Sequence, residues 1–287
     1  MNKEINQLCQ KIKTKDILAK KFYPVWFFTN EKLTDFLTGL ENIKAERIFS
    51  VAGGGDFAFN SLVNFEDTLE VNICDIRQLA DITVELKKTL IKKLSFEEMK
   101  ELLKNFRANN KDKTYSKIKK DLTIESREVL DQIIRRSKSL NFLECLKKSG
   151  YWYKDSFWQK NEKYLLYLSK DNYKKLKGKI DRINIYCGDL KENLELFEDN
   201  FYNLIYISNI IDSKKYCSSR NLYLKTIKKK LKKGGKLLMV TQKNPKKIIR
   251  SLEGQSWKIY QKELHHFNPI GAILGHYCYS ILIFELD

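Results

Sequence analysis

The sequence predicts an α/β protein built on an open, mostly parallel sheet with helices on both faces. Three observations carry this prediction. Ile48, Phe49, Val51 and Ala52 form a short apolar run of the kind that makes a buried parallel strand. Gly53, Gly54 and Gly55 follow at once, and Phe57, Ala58, Phe59, Leu62 and Val63 then recur at helical spacing. Residues 69–75 read as a second strand ending in the carboxylate of Asp75, followed by a helix with Leu79, Ile82, Leu86, Leu90 and Leu94 on one face. Strand–helix alternation then resumes beyond residue 180, as α/β sheets require.

The elements follow in order. Residues 1–46 read as N-terminal helices, with Ile5, Leu8, Ile12, Ile17 and Leu18 on one stripe and a cap at 29–31 before Leu33, Phe36, Leu37 and Leu40. Between them, residues 22–28 are a dense aromatic run around Pro24, either a hydrophobic plug or a wall over a ligand pocket. Residues 47–94 and 176–287 form the sheet domain. Residues 95–175 break the alternation and read as a helical insertion, with Met99, Leu102, Leu103 and Phe106, then Val129, Ile133, Ile134, Leu140 and Leu143, as its apolar positions. The insertion closes on a second aromatic cluster, residues 150–158 with Tyr164, Tyr167 and Tyr173, whose roles as core, base platform or pocket wall stay open. Strands are expected at 182–186, 201–207 and 236–241, and 257–260 with 277–285 should close the sheet as an antiparallel pair. A lysine cluster at 228–233 marks a helix C-terminus.

Composition narrows the classes. The chain has 287 residues, of which 43% are hydrophobic, enough for a large core. It contains no apolar run long enough to cross a membrane as a helix and no apolar signal region at its start, so a cytoplasmic protein is expected. The six cysteines are dispersed, without C-x-x-C pairs or Cys/His clusters, so reduced thiols and no metal site are expected. The net charge of +18 is almost all Lys, accompanied by many Asn and Ile; A/T-rich coding sequence gives that composition without a polyanionic partner. Arg, the better bidentate phosphate ligand, is scarce. Nucleic acid and a peripheral membrane surface therefore stay open as partners without being favoured.

Strand, glycine turn and helix bring backbone close to a nucleotide, and an acid about twenty residues on accepts hydrogen bonds from ribose hydroxyls. Gly53, Gly55 and Ala58 also satisfy the G-x-G-x-x-G/A dinucleotide pattern, so NAD or FAD, or a plain tight turn, remain alternatives for this stretch. Asp56 is a candidate for a ligand ammonium or for capping the next helix. His265, His266 and His276 are candidate acid–base groups or surface histidines.

Taken together, these elements resemble the class I S-adenosylmethionine-dependent transferases, whose fold is Rossmann-like. The resemblance implies that residues 52–56, beginning at Ala52 and including Gly53, Gly54, Gly55 and Asp56, form the cofactor loop. It makes Asp75 the ribose acid with Ile76 and Gln78 beside it, and Gly188-Asp189 the segment that contacts adenine. It sets Ser208, Asn209 and Asp212 in the loop facing the reacting centre, where Asp212 is a candidate general base or a helix cap. Residues 231–238 resemble the family's turn before its fifth strand, with Lys233 where proline is usual. A narrower likeness, to the betaine-lipid-type 3-amino-3-carboxypropyl transferases, rests on residues 52–56, on Asp75-Ile76-Arg77-Gln78 with Glu85-Leu86-Lys87, and on 208–212. It implies aminocarboxypropyl transfer to a small molecule or lipid head group with release of methylthioadenosine. Methyl transfer to a small molecule or RNA is the alternative. An oxidoreductase or a non-catalytic nucleotide-binding module is the reading from another class.

Overall fold

A computed structural model describes residues 33–40, 43–104, 113–136, 165–210, 219–241, 245–252, 256–267 and 277–287. The expectations for the first N-terminal helix, the aromatic run at 22–28, the cluster at 150–158, Tyr164, Asp212 and His276 lie outside these residues.

Seven strands are formed among the described residues: β1 (Arg47–Val51), β2 (Glu70–Asp75), β3 (Ile183–Cys187), β4 (Tyr202–Tyr206), β5 (Leu231–Thr241), β6 (Trp257–Phe267) and β7 (Tyr277–Leu286). They lie side by side in the order β3-β2-β1-β4-β5-β7-β6. Strands β1 to β5 are parallel, whereas β7 runs antiparallel to both β5 and β6. This is a Rossmann-like, open and mostly parallel sheet, closed at one edge by the expected antiparallel pair. The central strands are apolar on both sides because both faces are covered: Ile48, Phe49, Leu204 and Ile205 are all fully buried.

Helices α1 (Leu33–Thr38), α2 (Asp56–Asn64) and α3 (Gln78–Lys93) are followed by α4 (Phe96–Lys104), α5 (Lys113–Ile118) and α6 (Ile124–Arg136) in the stretch expected to be an insertion. Helices α7 (Lys170–Lys179), α8 (Leu190–Glu195), α9 (Arg220–Lys230) and α10 (Pro245–Leu252) complete the set among the described residues. Strand register shows that helices cover both faces. Tyr206 pairs with Ser50 and stacks on Phe57 of α2 at 4.0 Å between ring centroids. Phe49, one residue earlier and so on the opposite face, meets Phe197 beyond α8 edge-on at 6.4 Å.

Two boundaries differ from the sequence expectation. Helix α7 spans the division placed at 175/176 and packs against α2, α3 and α4, so it belongs to the layer on the sheet. Leu33, Leu37 and Leu40 are buried in the same core as the sheet, so this part of the N-terminal segment is not separate from it. Tyr167 and Tyr173 are likewise core residues, at 0% and 2% exposure. The insertion is moored to α3 at Glu85, whose carboxylate accepts hydrogen bonds from Thr123 N and Oγ and from Ser126 Oγ at the start of α6. Helix α4 begins with a reciprocal capping box, Ser95 N to Glu98 Oε2 at 2.7 Å and Glu98 N to Ser95 Oγ at 3.2 Å.

Candidate cofactor and active site

The chain steps from β1 to β2 and β3 in one direction, then returns to β4 and β5 on the other side of β1. Strand order therefore reverses between β1 and β4, and in an open α/β sheet ligands bind beyond the carboxyl ends of the strands at that point. Every described residue expected to bind cofactor lies at this end, at the end of β2 or in the loops and helix starts that follow β1, β2, β3 and β4.

After β1, Ala52 N donates to Cys74 O at 2.7 Å and Gly55 N to Ala52 O at 2.6 Å, closing a tight turn. Gly53 and Gly55 take φ of 50° and 80°, the left-handed region that side chains disfavour. Their surroundings differ. A Cβ on Gly55 would sit 3.0 Å from both Phe59 and Val84, so this glycine is needed for packing; one on Gly53 would meet nothing within 4 Å. Gly55 rather than Asp56 is the N-cap of α2, and no side chain caps that helix.

Asp56 corrects an expectation. Its carboxylate is fully buried and does meet an ammonium, but one from the protein itself: Lys87 Nζ on α3, 2.5 Å away. Tyr167 Oη donates to the same carboxylate oxygen at 2.5 Å, and Lys87 Nζ also donates to Gly54 O at 2.8 Å. Burial pushes the Lys87 ammonium below its ordinary value and the Asp56 charge opposes this. Burial and then Asp56 hold the Tyr167 hydroxyl well above its own, so it remains a donor.

Asp75 ends β2 with its carboxylate held from one side. Arg77 N donates to Oδ1 at 2.9 Å, Arg77 Nε to Oδ1 at 3.2 Å, and its terminal nitrogen to Oδ2 at 3.4 Å. Ile76 beside it is apolar yet 38% exposed, and Gln78 opens α3. Gly188 N donates to Asp75 O at 2.9 Å, which ties the β2 and β3 loops together. Asp189 caps α8 through Lys191 N at 2.9 Å and accepts the Tyr223 hydroxyl at 2.9 Å on its second oxygen. After β4, Ser208 has a φ of 46° and its carbonyl accepts Val240 N at 3.0 Å; Asn209 is exposed. A non-glycine residue in that region is a local strain of the sort found at functional loops. Among the described residues no group of three or more His, Cys, Asp or Glu side chains is placed to hold a metal ion.

Sequence reading named Arg77 and Lys87 within the narrower likeness and Tyr167 within an aromatic cluster but assigned none of their pairings here, and it missed Tyr223. Lys87 left a signal: it shares the stripe Ala80, Val84, Ile91, all fully buried, where a lysine is out of place. Tyr167 stood out only as one of a cluster of aromatics, and Tyr223, from a distant segment, left no signal.

No family model matches the chain and no curated protein matches it. Among solved structures it is similar to the precorrin 8W decarboxylase from Methanobacterium thermoautotrophicum, at 10% identity over 90% of this chain and 92% of that one, with a TM-score of 0.44. It is similar to the tRNA methyltransferase TrmK from B. subtilis, at 10% identity over 91% and 68%, with a TM-score of 0.44. A third likeness is to a SAM-dependent O-methyltransferase from Thermotoga maritima, at 11% identity over 99% and 71%, with a TM-score of 0.43.

Proposed function

We propose that the protein is an S-adenosylmethionine-dependent transferase whose cofactor lies across the β1, β2 and β3 loops. The observation that carries this reading is the register of three features at the switch point. These are a glycine turn bare of side chain at Gly53, a partly exposed acid at Asp75 with an exposed apolar neighbour at Ile76, and an oriented acid at Asp189. They fit an adenosine and its sulfur-bearing arm. The Asp75 carboxylate would accept the ribose hydroxyls, Ile76 would cover one face of the base, and Asp189 would accept from the adenine amine. The backbone at Gly53 would lie against the amino-acid arm, where any Cβ would intrude.

Bound there, S-adenosylmethionine would supply an electrophilic carbon and its own leaving group, so the chain's work is to orient an acceptor in line and exclude water. Ser208, Asn209 and Asp212 follow β4, next to β1, and are the residues proposed to face the acceptor, Asp212 as its general base. Methyl transfer is the reading we put first. The methyl carbon is the least hindered of the three on sulfur, and two residues of the narrower likeness, Asp56 and Lys87, are consumed in pairing with each other. Aminocarboxypropyl transfer is the second reading and keeps the Ser208-Asn209-Ile210 phrase as its support. A dinucleotide oxidoreductase fits less well, because the classic dinucleotide fold continues with a parallel sixth strand where this sheet has an antiparallel pair.

The test is to incubate purified protein and S-adenosylmethionine with a cell extract and identify the nucleoside formed. S-adenosylhomocysteine supports methyl transfer, methylthioadenosine the second reading, and no protein-dependent turnover or binding refutes the assignment.

A further inference from the structure

Beneath the glycine turn lies a charged cluster that the transfer chemistry does not use. The Lys87 and Asp56 side chains have no exposed surface, and Tyr167 is equally buried. The cluster joins three segments distant in sequence: the turn with the start of α2, the middle of α3, and residues 165–168 ahead of α7. Besides Asp56 Oδ1 and Gly54 O, the ammonium lies 5.2 Å from the Phe59 ring centroid and 5.7 Å from that of Tyr167, close enough for both rings to stabilise the charge.

Stability alone does not account for it. A buried ion pair is worth little over apolar residues of similar volume, because desolvating both charges offsets their attraction. What apolar residues could not supply is the hydrogen bond to Gly54 O. Three consecutive glycines have the broadest conformational freedom of any turn sequence, and the flanking two must both be left-handed here. Pinning the middle carbonyl to an immobile ammonium selects one conformation out of that ensemble. Asp56 is suited to neutralising the charge because it also opens α2, where a carboxylate is favoured by the helix dipole.

We infer that Lys87 is a positioning residue for the ligand-binding turn. Its ammonium, balanced by Asp56 and supported by Tyr167, holds the Gly54 carbonyl inward and so presents Gly53 to the crevice before any ligand arrives. The inference rests on the reading of that crevice as a nucleoside site, and predicts that the hydrogen bond to Gly54 serves ligand affinity rather than folding.

The apolar variant Lys87→Met/Asp56→Val/Tyr167→Phe removes these three polar side chains at nearly constant volume. The neutral variant Lys87→Gln/Asp56→Asn removes the charges but keeps a donor within reach of Gly54. Melting temperature, amide hydrogen exchange at residues 53–57 without ligand, and S-adenosylmethionine affinity by calorimetry are measured for both and for wild type. The apolar variant is expected to melt within a few degrees of wild type, to exchange about tenfold faster at 53–57 with β1 unchanged, and to bind about tenfold more weakly, the effect of one lost hydrogen bond. The neutral variant is expected to recover most of both losses. Unchanged exchange and affinity in the apolar variant would overturn the inference, as would equal loosening in the neutral one. An apolar variant that does not fold would overturn it too, since the cluster would then be needed for stability. Wild-type protein that fails to bind S-adenosylmethionine would refute the function instead, leaving the exchange comparison to judge Lys87.

Discussion

Replacing Gly53 and Gly55 separately by Ala divides the turn's two duties. At Gly55 the new methyl meets Phe59 and Val84 at 3.0 Å, tighter than ordinary contact, and the φ of 80° is unfavourable for alanine. Left-handed backbone costs roughly 1–2 kcal/mol for an L-residue and overpacking about 1–3 kcal/mol, so Gly55→Ala should lose about 3 kcal/mol. At 2–4 °C per kcal/mol for a domain of this size, its melting temperature should fall by about 6–12 °C. Gly53→Ala carries the backbone cost at φ 50° but no steric one, since nothing lies within 4 Å of the added carbon. It should lose about 1 kcal/mol, or about 2–4 °C. Its methyl would nevertheless enter the space assigned to the ligand's amino-acid arm, so affinity for S-adenosylmethionine should fall at least about tenfold. Differential scanning fluorimetry and isothermal calorimetry on both variants provide the two axes. A Gly53→Ala protein that folds and binds as tightly as wild type would refute the placement of the ligand against this turn. A Gly55→Ala protein as stable as wild type would refute the packing argument.

Asp75→Ala removes the acceptor for the ribose hydroxyls and should weaken cofactor binding at least about tenfold, measured by calorimetry. Its partner Arg77 is 38% exposed, so stability should change by under about 1 kcal/mol; full affinity would mean that the site lies elsewhere. Tyr223→Phe deletes the donor that orients Asp189 between α8 and α9. It should cost about 1 kcal/mol and reduce discrimination of adenine from hypoxanthine nucleosides in competition binding, and unaltered selectivity would remove Asp189 from the base-reading role. Glu98 is held down to about 2 by hydrogen bonds from the Lys117 ammonium and from Ser95, against an ordinary 4.5. Because the folded value is the lower one, the unfolded chain takes up the proton first, so this contribution is present above about pH 4.5 and is lost as pH falls toward 2. Glu98→Gln should flatten the melting temperature against pH across that window, and an unchanged slope would show that the pair contributes nothing.

Much of the architecture was legible because it depends on local pattern. The apolar run before Gly53, the acid closing β2, and the stripe of Leu79, Ile82, Leu86 and Leu90 each declare an element through spacing and residue type alone. The antiparallel closure was expected from the two apolar runs at 257–260 and 277–285, and β7 does pair antiparallel with both β5 and β6. Asp56 was misread because its neighbours in sequence, glycines and a helix, suit a ligand contact as well as a buried pair. Nothing near residue 56 indicates that an ammonium from residue 87 and a hydroxyl from residue 167 will meet it.

On its own, then, the sequence determined the α/β class, the order of its strands and helices along the chain, and the loops at which a nucleotide could lie, because hydrophobic period and glycine chemistry act over a few residues. The tertiary structure alone decided which side chains face that crevice and which are spent inside. It took Asp56 inward to Lys87 and Tyr167, leaned Arg77 on Asp75, and set Tyr223 against Asp189. These pairings join residues up to 111 positions apart, and their partners are chosen by how helices settle on the sheet and by the need to satisfy every buried charge.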